Sequence, residues 1–241
     1  MEPNRLLAEL AADPGRAAIL LDVDGTLAPI VERPEDAAVP DETRSLLRAL
    51  AGRYALVACI SGRSSAEARR VVGVDELFYV GTHGLELAPD ADAWRDQIER
   101  FAATVEWPEE WTEDKGLSLS LHYRQSSNPE HARHELEQIA ESAGEVGLEA
   151  RFGRMMLEIL PPVAADKGSA VRTLLDERGL ERALYAGDDS TDLDAFRALE
   201  RLALGVCVAL VSNESPPGLA EAADVVVAGP KELVELLGSL L

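Results

Sequence analysis

Short, nearly continuous apolar runs alternate with amphipathic stretches along most of the chain. Residues 17–23, 54–60 and 77–80 have strand length and few polar positions, the pattern of strands buried on both faces. Between them, residues 42–51 and 64–72 place apolar side chains at helical spacing, with Asp41 as N-cap and Gly52 as stop for the first. The rhythm resumes after Gly168 with a helix over 170–178 stopped by Gly179, a strand over 183–186 and a helix over 193–201. Strands over 204–211 and 224–227 and a closing helix over 231–240 follow. Such alternation predicts an α/β fold with a doubly wound, Rossmann-like parallel sheet.

Residues 85–162 have a different texture and hold Trp94, Trp107, Trp111 and every histidine except His83. Leu117, Leu119 and Leu121 alternate with Ser118, Ser120 and His122, as in a strand buried on one face. A polar helix over 129–143 follows, and the runs 148–152 and 155–160 flank Gly153-Arg154 like a hairpin. The expectation is a smaller inserted α+β cap domain packed over the strand ends of the main sheet, with Pro161-Pro162 as return linker. The domains are then 1–86 and 163–241 for the core and 87–162 for the cap.

Composition narrows the partners. Lys and Arg total 23 against 44 Asp and Glu, a net charge of -21, which argues against nucleic acid or an anionic membrane. No segment approaches the ~20 apolar residues of a membrane span, and no basic leader precedes an apolar stretch at the amino terminus. A cytoplasmic monomer acting on a small molecule is expected. Cys59 and Cys207 sit in strand-like runs and read as core residues, not as a zinc site or a disulfide.

The chemistry concentrates at two strand ends. Asp22 and Asp24 stand one residue apart where the first apolar run meets Gly25, and Asp188-Asp189-Ser190-Thr191-Asp192 follows the run ending at Gly187. Ligands of open parallel sheets bind beyond the carboxyl ends of the strands, and crowded carboxylates there suit a hard cation such as magnesium. Asp-Gly is also a common turn signal, and the second cluster also reads as a helix N-cap with an acidic first turn. Two such clusters can converge only if their strands lie side by side.

With those clusters placed, the chain resembles the haloacid dehalogenase superfamily of phosphatases. The resemblance rests on Asp22-Val23-Asp24-Gly25-Thr26, Ser61-Gly62-Arg63, Lys167-Gly168 and Gly187-Asp188-Asp189, in that order. Gly81-Thr82-His83-Gly84, Lys115-Gly116, His122-Tyr123-Arg124 and Leu157-Glu158-Ile159 extend it to the trehalose-6-phosphate phosphatase family. One departure is Leu193, where the family often continues Thr-Asp with Glu.

The resemblance implies Asp22 as nucleophile and Asp24 as acid and base, with Lys167, Ser61 and Thr26 on the phosphoryl group. Magnesium would be held by Asp22, the Asp24 carbonyl and Asp188, with Asp189 and Asp192 behind them. Lys115, His122, Arg124 and Glu158 are the candidate sugar contacts, joined by Arg63 and His83 from the core. Alternatives are a phosphatase for another sugar phosphate such as sucrose phosphate or mannosyl-phosphoglycerate, a phospho-aspartate receiver, or a silent binding module on the same fold.

Overall fold

A computed structural model describes residues 3–31, 33–153, 155–212 and 215–241. It begins with helix α1 (Pro3–Ala11), too short for its apolar positions to declare a period, whose Leu6 and Leu10 are buried. The predicted alternation follows as β1 (Ala18–Leu21), α2 (Asp41–Ala51), β2 (Leu56–Ile60), α3 (Ser65–Val72) and β3 (Phe78–Val80). Next come α4 (Arg95–Ala102), β4 (Thr112–Asp114), β5 (Leu119–His122), α5 (Pro129–Glu145), β6 (Glu149–Gly153) and β7 (Met156–Leu160). Arg154, in the expected hairpin turn, lies outside the described residues. Then α6 (Lys167–Arg178), β8 (Arg182–Gly187), α7 (Asp192–Leu199), β9 (Leu204–Leu210), β10 (Val225–Val227) and α8 (Pro230–Gly238) resume the alternation.

By contacts the chain divides into Met1–Gly84 with Ala165–Leu241, and Leu85–Ala164. The first unit holds a parallel sheet in the order β10-β9-β8-β1-β2-β3. Every residue of β1 and β2 is buried, because helices cover both faces of a sheet wound in this way. Each such Leu, Ile or Val removes enough apolar surface from water to contribute about 1.5–3 kcal/mol. Cys59 and Cys207 are free and buried, as expected of core thiols.

The starts of α2 and α6 differ from the sequence expectation in their caps. Pro40, not Asp41, is the cap residue of α2, and Asp41 is already helical. α6 starts at Lys167, three residues earlier than predicted, because Asp166 and Ser169 form a capping box. There the Asp166 carboxylate accepts from the Ser169 amide at 2.6 Å while the Ser169 hydroxyl serves the Asp166 amide at 2.9 Å.

The second unit is an antiparallel sheet in the order β4-β5-β7-β6. Leu119, Leu121, Leu157 and Ile159 point to one face and pack with Ile98 and Phe101 of α4 and Ala132 and Leu136 of α5. The period-2 alternation read from residues 117–122 therefore sends Ser118, Ser120 and His122 to the opposite, polar face. Among the described residues, no helix is long and apolar enough to cross a membrane.

Candidate active site

The strand order explains why motifs 160 residues apart meet. Leu21 at the end of β1 pairs with Ala186 of β8 on one side and with Cys59 of β2 on the other. Successive crossovers run in opposite directions from β1, so its carboxyl end is a topological switch point, where open sheets leave a crevice. Asp22 continues the ladder, its amide donating to Ala186 O at 2.9 Å. Gly25 then turns the chain with φ of 81°, and a Cβ there would run into the Asp188 carboxylate. Both the conformation and the close approach require glycine.

Lys167 joins the two acid clusters. Its ammonium, with the side chain 2% exposed, donates to Asp22 Oδ1 at 2.6 Å and to Asp192 Oδ1 at 2.7 Å. Gly168 permits this placement, since a Cβ there would collide with the Asp194 carbonyl in the first turn of α7. Asp192 is fully buried and takes four donors. Lys167 and the Tyr185 hydroxyl, both at 2.7 Å, share Oδ1; the amides of Asp188 and Asp189, both at 2.9 Å, share Oδ2. The Asp188 carboxylate accepts the Thr26 hydroxyl at 3.1 Å. Asp189 is exposed and turns its carboxylate to the Ser190 amide.

Three carboxylates around one ammonium leave an excess of negative charge. Burial, reinforced by Asp192 and Asp188, pushes the Asp22 carboxyl well above the usual range despite Lys167. Burial and Asp192 push Asp188 up to about 6. Burial by itself would discharge Lys167, but Asp192 and Asp22 outweigh it and hold the ammonium protonated. Oxygens of Asp22, Asp188 and Asp192 lie within 4.8 Å of one another, an oxygen-only donor set that fits a hard divalent cation. Asp192 has both oxygens saturated by protein donors, which leaves Asp22 and Asp188 as the carboxylates able to serve an ion.

The end of β2 adds Ser61 and Arg63. Ser61 is buried, and its hydroxyl oxygen accepts from the Arg63 amide at 3.2 Å. The 81–84 turn braces this segment, with Thr82 N donating to Arg63 O at 2.8 Å and His83 N to Ser61 O at 2.9 Å. Thr82 and His83 hold left-handed φ values of 49° and 53°, a strained arrangement for residues with a Cβ. Gly62 lies against the His83 ring, where a Cβ would stand 2.6 Å from Nε2. The Arg63 guanidinium grips Asp24 through Nε at 2.7 Å and Nη2 at 2.8 Å.

In the second unit, the polar sheet face gathers Lys115, His122 and Glu158. Lys115 Nζ lies 3.5 Å from Glu158 Oε1 and 3.8 Å from Glu113 Oε2, and His122 Nε2 lies 3.5 Å from Glu113 Oε2. Ser120 pairs directly with Glu158 across the β5–β7 ladder. Arg124, just past β5, is exposed. A cavity of about 660 Å³ also opens in this unit, lined by Trp107, Trp111, Phe101 and Ile139 among others, but by none of the candidate residues.

A family model described as trehalose-phosphatase matches residues 20–225, a span that includes every motif above. The chain belongs to the trehalose-phosphatase family. A protein of Mycobacterium tuberculosis named as an uncharacterized glycosyl hydrolase is 36% identical over 214 residues, 80% of this chain and 16% of that protein. A probable trehalose-phosphate phosphatase of Oryza sativa subsp. japonica is 32% identical over 229 residues, 78% of this chain and 61% of its own length. The chain thus matches less than two thirds of either relative. Among solved structures, a trehalose-6-phosphate phosphatase related protein superposes with a TM-score of 0.73 at 26% identity, covering 92% of this chain and 96% of that one.

Within this family framework, the structure brings Asp22, Thr26, Lys167, Asp188 and Asp192 into one hydrogen-bonded cluster, and Asp24 to Arg63. It separately groups Lys115, His122 and Glu158. Sequence reasoning missed Glu67, Tyr185 and Glu113. The spacing of Arg63 and Glu67, four apart at a helix start, was a usable signal for the first. Tyr185 sits in an apolar run, and nothing in the sequence distinguishes its hydroxyl from a core phenol.

Proposed function

We propose that the chain hydrolyses trehalose 6-phosphate to trehalose and phosphate in two displacements at Asp22. The observation that carries the reading is the buried Asp22 carboxylate, one oxygen fixed by Lys167 at 2.6 Å, at the switch point of the sheet. The other oxygen is available to attack phosphorus. The bond to the sugar oxygen breaks, Asp24 gives that oxygen its proton, and an aspartyl-phosphate remains on Asp22. Asp24, now a carboxylate, takes a proton from water as the water oxygen attacks phosphorus, which frees phosphate and restores Asp22. Lys167 and the Ser61 hydroxyl offset phosphoryl charge. Thr26 has its hydroxyl on Asp188 and contributes by steadying that carboxylate.

Asp22 and Asp188 would hold a magnesium ion by their carboxylates and Asp24 by its backbone carbonyl. Bound there, the ion supplies Lewis-acid neutralisation of phosphoryl oxygens. Adding magnesium to chelator-treated protein is expected to raise the melting temperature, since it relieves the carboxylate crowding. A hundredfold excess over Kd stabilises by about 2.7 kcal/mol, or roughly 5–10 °C for a chain of this size. Differential scanning calorimetry checks this, and an unchanged melting temperature with Asp188 intact would remove the ion site.

As sugar contacts we propose Lys115, His122, Arg124 and Glu158 of the second unit and, separately, His83 of the first. Glu158→Ala is expected to lower kcat/KM on trehalose 6-phosphate by about 10- to 100-fold, as loss of a charged hydrogen bond does. Activity on an aryl phosphate should be retained, whereas equal losses on both substrates would make Glu158 structural. The reading as a whole is tested by phosphate release, with and without magnesium, from trehalose 6-phosphate, sucrose 6-phosphate, glucose 6-phosphate and an aryl phosphate. Metal-dependent preference for the first supports it. Equal slow release from all four would withdraw the substrate, and a stable phosphoprotein without turnover would favour a receiver.

A further inference from the structure

We propose that Arg63, braced by Glu67, is a positioning residue that fixes the orientation of the Asp24 carboxylate and acts through Asp24 instead of on the sugar. The inference rests on the reading of Asp24 as the acid and base of the reaction. Asp24 has a side chain 40% exposed, so packing covers only part of a short carboxylate. The guanidinium that grips it is 10% exposed and engages both carboxylate oxygens, Nε to Oδ2 at 2.7 Å and Nη2 to Oδ1 at 2.8 Å. A bidentate fork of this kind fixes the plane of the carboxylate as well as its distance.

The fork is itself held from behind. Nη1 donates to Glu67 Oε1 at 2.8 Å, and Glu67 stands in the first turn of α3, whose cap residue Ser64 accepts from the Glu67 amide. The Arg63 backbone is pinned at both ends, its amide on Ser61 Oγ and its carbonyl receiving Thr82 N. A strained Thr82-His83 pair persists only where the surroundings over-determine it, so the segment behind Asp24 is stiff.

In the first displacement the P–O bond to the leaving group breaks and its electron pair takes the Asp24 proton. In the second, Asp24 accepts a water proton while the P–O bond to Asp22 breaks. Both transfers use a lone pair that an Asp24 oxygen keeps outside the fork and need it within hydrogen-bond reach of a reacting oxygen, and misplacement by about 1 Å can cost roughly 10²-fold.

The test uses 4-nitrophenyl, phenyl and 4-methoxyphenyl phosphate, which carry no sugar and differ in how much their leaving oxygen needs a proton. Arg63→Met is expected to lower kcat/KM by about 10- to 100-fold on phenyl and 4-methoxyphenyl phosphate, and by less than about 3-fold on 4-nitrophenyl phosphate. Glu67→Gln should show the same pattern more weakly, and Arg63→Lys, which restores charge without the fork, should not recover the loss. Asp24→Asn should show it most strongly. A uniform fall across the series would make Arg63 a phosphate ligand or a structural residue and overturn the proposal. So would an unchanged series with a loss confined to trehalose 6-phosphate, which would return Arg63 to the sugar. If Asp24→Asn itself leaves the leaving-group dependence unchanged, the acid and base reading of Asp24 fails, and the positioning role fails with it.

Discussion

Asp22→Asn is expected to abolish phosphate release from sugar and aryl phosphates alike, by ~10⁴-fold or more, because an amide cannot attack phosphorus. The fold should survive. The folded protein holds the Asp22 proton more strongly than an unfolded chain does, so the ionised carboxylate weakens the fold as pH rises above the ordinary carboxylate range. Asparagine is the uncharged isostere of that protonated form. It keeps an oxygen for Lys167, which also retains Asp192 at 2.7 Å. Without added cation at neutral pH, the melting temperature of the variant should therefore equal or exceed that of the parent. Rapid-quench and steady-state phosphate assays beside a thermal melt check both parts. Residual turnover within tenfold of the parent would remove Asp22 as nucleophile, and loss of activity with a collapsed melt would make the residue structural.

That result depends on an arrangement which the sequence revealed in part. Apolar runs ending in Asp22 and Asp188 were legible as neighbouring parallel strands, because a strand buried on both faces leaves an uninterrupted signature and two acid clusters can share an ion only at adjacent ends. The polar face of the inserted sheet was legible for the same reason, since alternation with Leu119 and Leu121 assigns His122 a side. What could not be read was the direction of individual carboxylates. Asp188, Asp189 and Asp192 look alike in sequence, yet Asp188 is half-buried beside Asp22, Asp189 is exposed, and Asp192 is fully enclosed. The difference arises because the turn into α7 folds Asp192 back beneath the amides of Asp188 and Asp189. Arg63 posed the same problem, since its partner Asp24 lies 39 residues away and only the pairing of β1 with β2 brings them together. α4 and β4 escaped notice because they are short and mostly polar; α4 buries only Ile98 and Phe101, against strand residues such as Leu157 and Ile159 far along the chain, and β4 buries no residue.

Asp192→Ala is expected to be the most destabilising single change in the site, costing about 3–5 kcal/mol through loss of a buried charge partner. Four donors lose their acceptor at once: the Lys167 ammonium, the Tyr185 hydroxyl and two backbone amides. Removing the carboxylate also relieves repulsion on Asp22 and Asp188. The losses win, since those two carboxyls can relieve crowding by taking up a proton or a cation, whereas the two amides cannot shed their donors and Lys167 keeps Asp22 as its one remaining carboxylate partner. With total stability of about 5–15 kcal/mol for a folded chain, such a cost is a large fraction of the whole, and the melting temperature should fall by roughly 10 °C or more. Asp192→Asn discriminates the cause. Its carboxamide can accept on one edge only, so its NH₂ must face either the two amides or Lys167, donor against donor, and only the Tyr185 hydroxyl can turn to accept. The variant should therefore melt close to Asp192→Ala, although it is nearly isosteric with the parent, and should lose activity on sugar and aryl phosphates equally because Lys167 and the 188–189 turn shift together. A parent-like melt for Asp192→Asn would mean that volume, and not four-donor acceptance, is what the fold requires at this position.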